Sequence, residues 1–145
     1  MPIFYQTLGY AGLIPFVGFT IGLYMFSAPS FIAACATMQL VYAGLILSFL
    51  GGIHWAHGMP RKHALQLSLA MGPSIASLIL IFISLGSYVY TWPLLIMGFG
   101  FIGLYIADKK LLEPSWLDTD YFTLRLRLTA VVSVCLFLSA IAFWI

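Results

Sequence analysis

A chain of 145 residues that is 63% hydrophobic and only 7% charged departs far from soluble proteins, which average about 45–50% apolar and about 25% charged residues. A water-soluble domain of this length has too little interior to hide so much apolar side chain, so the excess is expected to face lipid. Six Lys and Arg against four Asp and Glu, a formal charge of +2, is too slight a basic balance for a nucleic-acid partner.

Five apolar runs approach the ~20 residues that an α-helix needs to cross a bilayer. The first runs from near Leu8 to Phe26 and is broken by Ser27-Ala28-Pro29-Ser30. The N-terminus lacks a basic region and a small-residue cleavage site, so this first run is expected to be retained as a span. The second extends from near Phe31 to Trp55 and ends at Gly58-Met59-Pro60. The third covers Ala64 to Leu85, before Gly86-Ser87. The fourth covers Tyr90 to Ala107, with Pro93 suited to its first turn. The fifth runs from near Leu124 to the end of the chain. Helices are the expected form, because lipid offers the backbone no hydrogen-bond partners and these runs lack the alternation of barrel strands. The expected fold is therefore an all-α polytopic membrane bundle, one transmembrane domain over 1–145, with a single sizeable loop at 108–123.

Orientation follows from the cations. Arg61 and Lys62 lie in the second loop, and Lys109, Lys110, Arg125 and Arg127 in or beside the fourth, so all six fall on one side. Positive loops face the cytoplasm, which places the N-terminus inside and the C-terminus in the periplasm of a bacterial inner membrane. Asp108, Glu113, Asp118 and Asp120 share that side. Tyr88, Tyr90, Trp92 and Trp144 at one edge, and Trp55, Tyr105, Trp116 and Tyr121 at the other, match the interfacial belts that aromatic side chains form.

Packing is expected along small residues: Gly18 and Gly22 on the first span, and Gly44, Ser48 and Gly52 on the second. Pro15 and Pro73 should kink the first and third spans. Ser74, Ser77 and Ser84 are read as hydrogen-bond donors between helices, and Cys35 and Cys135 as small buried hydrophobes. The 108–123 loop mixes charges with Leu, Trp and Tyr, as a segment lying among lipid headgroups does. Its Lys109-Lys110 pair favours anionic lipid. Asp118 or Asp120 is placed to cap the last helix.

Polar residues that carry chemistry gather at the basic end: His54, Trp55, His57, Arg61, His63, Asp108 and Arg125. His54 and His57, three apart, share a helix face and form a weak candidate metal pair. A zinc site wants a third protein ligand, with His63 or Asp108 as the candidates. Haem ligation is disfavoured, since neighbours on one helix cannot reach opposite faces of the ring. No span carries an ionisable group near its middle, which argues against a transport pathway; Gln39 and Tyr42 are the most polar groups there. Two readings remain. In one, Asp108 and Arg125 pair to fix two helix ends, while His54 and Trp55 anchor the second span at the interface, where snorkelling lowers the cost of polar groups. In the other, the cluster holds a quinone or lipid, with a histidine on a carbonyl and Trp55 and Tyr105 stacking beside it.

The opening Leu8-Gly9-Tyr10-Ala11-Gly12-Leu13-Ile14-Pro15-Phe16 and the run from Tyr42 through Gly51-Gly52-Ile53-His54-Trp55 resemble the family catalogued as domain of unknown function 3429. Pro114, Trp116, Tyr121, Leu124-Arg125 and Leu128-Thr129 resemble its closing pattern. The resemblance implies membership among bacterial inner-membrane proteins with a mitochondrial relative, transmembrane protein 69. It carries no established activity and requires no cofactor. It points to His54, Trp55, Asp108, Trp116, Arg125 and Thr129 as candidate site residues. Two positions depart from the pattern: Leu117 to Asp120 separate Trp116 from Tyr121, and Ala56 stands where a glycine is common. The missing chemistry, the short loops and the mitochondrial relative favour an accessory or assembly factor of a larger membrane complex, with a respiratory complex as the candidate, binding of quinone or lipid near the cytoplasmic leaflet as the alternative, and homo-oligomerisation open. The topology is directly checkable: a phosphatase reporter fused after Ile145 should be active in the periplasm, and one inserted beside Lys110 silent.

Overall fold

The computed structural model describes residues 3–145 and is helical throughout, with five stretches long and apolar enough to span a membrane. In chain order the helices are α1 (Ile3–Ala11), α2 (Ile14–Met25), α3 (Pro29–Gly58), α4 (Ala64–Ser87), α5 (Thr91–Leu111) and α6 (Thr119–Ala142). The chain is thus a multi-pass membrane protein. α1 and α2 together make the first span, Ile3–Met25.

That first span starts at Ile3, well before the expected Leu8, and it is broken instead of merely kinked. Pro15 sits in the first turn of α2; its ring would strike the Ala11 carbonyl of a continuous helix, and it has no N–H to give. The helix therefore stops at Ala11 and restarts at Ile14. Breaking the ladder opens the Gly12 carbonyl, and the Tyr42 hydroxyl on α3 donates to it at 3.0 Å. In lipid such a side chain must stand in for water. Pro73 behaves differently: α4 continues through it without interruption.

The longest shared surface is between α3 and α4. Its contact stripe is not the expected Gly44–Ser48–Gly52 row but a seven-residue one, Gly44, Gly51 and Gly58. A β-carbon added at these positions would lie 3.0 Å from the Ser77 Cβ, 2.4 Å from the Ala70 carbonyl oxygen and 2.9 Å from the Gln66 Cβ. Gly52 and Gly18 face open space. A heptad spacing keeps one face on its partner when two helices wrap at a shallow angle, whereas steps of four drift round the helix.

Of the serines expected to link helices, Ser77 does so and Ser84 does not. Ser84 bonds the Leu80 carbonyl of its own helix, and Ser77 bonds Pro73 while also reaching Met97 Sδ on α5 at 3.6 Å. A hydroxyl in lipid can always fall back on the carbonyl four residues earlier. Further links between helices are Thr20 to Ser139 at 3.1 Å, Gln39 to Thr20 at 3.0 Å, and Ser133 to the Gly98 carbonyl at 3.2 Å. Cys35 and Cys135 are buried and free, within the apolar core that also holds Phe16, Leu40, Met97 and Leu136.

At the basic end, α5 runs four residues past Ala107 because Lys109 and Lys110 suit the negative end of a helix. α6 begins at Thr119, not Leu124. Asp118 stands at its N-cap position without a side-chain cap bond, and Asp120 lies in the first turn. The expected loop of 108–123 therefore shrinks to residues 112–118. The glycine stripe yields a contrast of sign. Gly51→Ala should lower the melting temperature in detergent, at about 1–3 kcal/mol of overpacking. Gly52→Ala should leave it unchanged or raise it, since it adds helix propensity and meets nothing.

Candidate functional site

Asp108 occupies the last turn of α5, where a carboxylate meets the negative end of the helix and is disfavoured by a few tenths of a kcal/mol to about 1 kcal/mol. It needs partners, and two helices supply them. Nε of Arg125 on α6 donates to Asp108 Oδ2 at 2.9 Å, and Nε2 of His54 on α3 stands 2.7 Å from Oδ1. One turn further along α6, Thr129 Oγ1 accepts from Arg125 Nη1. His54, Asp108, Arg125 and Thr129 thus form one chain of hydrogen bonds joining three spans.

These groups are 0%, 1%, 4% and 4% exposed, so they do not snorkel to the interface as expected. They lie inside the protein because each finds its counter-group there, and a buried charge without one costs several kcal/mol. The network is not saturated. Arg125 Nη2, His54 Nδ1 and the Tyr121 hydroxyl are buried with no hydrogen-bond partner. The Tyr121 hydroxyl lies beside the Arg125 guanidinium and within electrostatic reach of Asp108, short of a geometrically complete hydrogen bond.

His57 belongs to a second, separate group. Its Nδ1 stands 2.8 Å from the Gln66 amide nitrogen, which also donates to the Leu111 carbonyl at 3.0 Å. Trp116 lays its ring edgewise on His57, with centroids 5.0 Å apart. The candidate metal pair therefore does not assemble: His54 turns to Asp108, His57 to Gln66, and neither His63 nor Asp108 joins the two. His63 instead caps α4, accepting from the Gln66 N–H at 3.4 Å. Among the described residues no three His, Cys, Asp or Glu side chains are grouped for an ion. Arg61 holds the last turn of α3 through the His57 carbonyl at 2.8 Å and pairs with exposed Glu113 at 3.1 Å.

Of the other candidates, Trp55 is 43% exposed, in contrast to the buried network. Lys109 and Lys110 are exposed, and the Lys109 ammonium lies 5.8 Å from the Tyr105 ring centroid. Gln66 and Tyr121 are the residues that sequence reasoning missed. A glutamine in an apolar run was the available signal for Gln66. For Tyr121 the signal was its place in the closing motif, overshadowed because a tyrosine at a span edge reads as an interfacial anchor.

Beside the network lies a cavity of about 460 Å³, within the range of small-ligand sites. Arg125, Thr129 and Tyr121 form its wall at the basic end. Phe16, Ile46, Leu50, Phe101, Leu128 and Val132 make the apolar remainder. The helix break at Gly12 explains why it exists. α1 leans on α6, where Gly9 lies against Leu124 and Leu128, and barely touches α3. The gap between α1 and α3 opens the cavity sideways past Tyr5, Leu8 and Phe49, which are 57%, 55% and 73% exposed.

A family-wide sequence model described as a protein of unknown function (DUF3429) matches residues 1–141, and the chain belongs to that family. No curated protein and no solved structure matches it. The buried ion pair makes a thermodynamic cycle informative. Asp108→Leu or Arg125→Leu alone should cost about 3–5 kcal/mol, because each strands a charge. The double substitution should recover most of that loss, as read by thermal unfolding in detergent.

Proposed function

We propose that this membrane protein binds a small molecule of the lipid phase, a quinone or a lipid, in the cavity between α1, α3 and α6, with the ligand's polar end toward Arg125. The proposal includes a place in the bacterial inner membrane with the basic end toward the cytoplasm, as the positive-inside pattern expects. The observation that carries it is the conjunction of cavity and wall. An apolar chamber reached from the side ends on a buried guanidinium that uses Nε and Nη1 within the protein and leaves Nη2 without a partner. An unmade bond at a buried charged donor costs on the order of 1–3 kcal/mol or more, and an incoming oxygen would recover it. Thr129 and Asp108 act as positioning groups, fixing the guanidinium plane from both sides.

An accessory or assembly role rests on less. The face of α4 bearing Leu78, Ile79 and Phe82 is exposed, but acyl chains suit such a face as well as a subunit does. The two roles are compatible, and the cavity is the more specific feature.

Protein purified in mild detergent and extracted with organic solvent should release a near-stoichiometric lipid-soluble compound, seen by mass spectrometry. Leu128→Trp, which fills the chamber, should reduce that compound at least tenfold while leaving the melting temperature within a few degrees. Equal yields from both proteins would defeat the proposal.

A further inference from the structure

The charge balance of the cavity wall bears on what kind of head the ligand carries. Arg125 is the cation of that wall, and its charge is already matched by Asp108 at 2.9 Å. His54 lies on the other carboxylate oxygen. The pair is neutral as a unit, so an anion entering beside it meets no surplus positive charge and is repelled by Asp108. Arg127, two residues along, is exposed and turned to the Tyr10 hydroxyl at 3.4 Å, so it does not tip the balance. Donors remain, however. Nη2 carries two N–H groups and the neighbouring Tyr121 one O–H, and neither atom completes a hydrogen bond within the protein. They suit one or two uncharged acceptor oxygens and fall short of the many bonds that a dehydrated phosphate requires.

The shape of the chamber argues the same way. The apolar wall, with Phe16 and Phe101 in edge-to-face contact at 5.9 Å, suits a ring. The sideways opening between α1 and α3 lets a hydrocarbon tail trail into the bilayer.

We propose that the cavity selects an uncharged ring head bearing acceptor oxygens, the quinone class, over anionic phosphate-headed lipid. This rests on the binding reading above and narrows it. The selectivity is set by Asp108, which cancels the charge of Arg125 and leaves its hydrogen bonds.

The test uses the full chain in discs of uncharged phosphatidylcholine, titrated with a short-tailed benzoquinone and separately with phosphatidylglycerol, and read by native mass spectrometry. The wild type should bind the benzoquinone at least tenfold more tightly than phosphatidylglycerol. Tyr121→Phe removes one donor and should weaken the benzoquinone about five- to tenfold. Asp108→Asn uncovers the Arg125 charge and should shift the preference toward phosphatidylglycerol, a gain that a purely structural aspartate would not produce. If Asp108→Asn does not fold, Tyr121→Phe decides alone. Wild-type preference for phosphatidylglycerol overturns the quinone assignment and leaves the binding role standing. Benzoquinone binding unmoved by both Tyr121→Phe and Leu128→Trp places the molecule elsewhere and overturns it too. If neither ligand binds, the binding role falls with it.

Discussion

Asp108 sits at the unfavourable end of α5 inside a membrane protein, and it is tolerated because His54 and Arg125 reach it from two other spans. That three-way contact ties α3, α5 and α6 together at the basic end. Its geometry is demanding, because in a low-dielectric interior each group must be met by another, and removing any one leaves the rest uncompensated. Away from this point the bundle is held by close packing and by neutral hydroxyl and amide bonds. Among these are the Gln39–Thr20–Ser139 chain deep in the apolar core and the Ser133 contact with the Gly98 carbonyl.

Against this fixed corner, two features of the backbone decide where space is left. The heptad of glycines on α3 draws α4 in until the Ala70 carbonyl lies where a side chain would otherwise stand. On the other side of α3 the opposite happens. Pro15 stops the first helix, Tyr42 seals the carbonyl that the stop exposes, and α1 rests against α6 through Gly9. Tight packing on one flank and a splayed helix on the other leave the cavity between α1, α3 and α6. Its walls come from residues that would be ordinary core if the first span were straight.

The same acid that stabilises the corner also shapes the chemistry on offer. By pairing with Arg125 it turns a strong cation into a neutral arrangement of hydrogen-bond donors. That is a different invitation from a lone arginine, which would draw phosphate from the nearest leaflet. Membership of a family of unknown function brings no activity to the chain, so its site is argued from these contacts alone.

Sequence by itself determined the class of solvent and much of the scaffold. Five helices cross the bilayer because hydropathy over ~20 residues is a sum, insensitive to which neighbour each residue meets. It also marked His54, Asp108 and Arg125 as candidates, since ionisable groups are scarce in such a chain, and the family resemblance added Thr129. It could not separate His57 from His54, because a three-residue spacing says they share a face but not that one meets Asp108 and the other Gln66. It set Trp55 with the cluster, whereas the fold leaves that side chain half exposed and outside the cavity lining, and it chose Gly52 where packing uses Gly51. Neither the burial of the ion pair nor the cavity was legible. Both depend on which helices become neighbours, and that is set by contacts between residues far apart in the chain. Only the tertiary structure decides such pairings, since the free energy of a buried charge depends on where its partner lies in space.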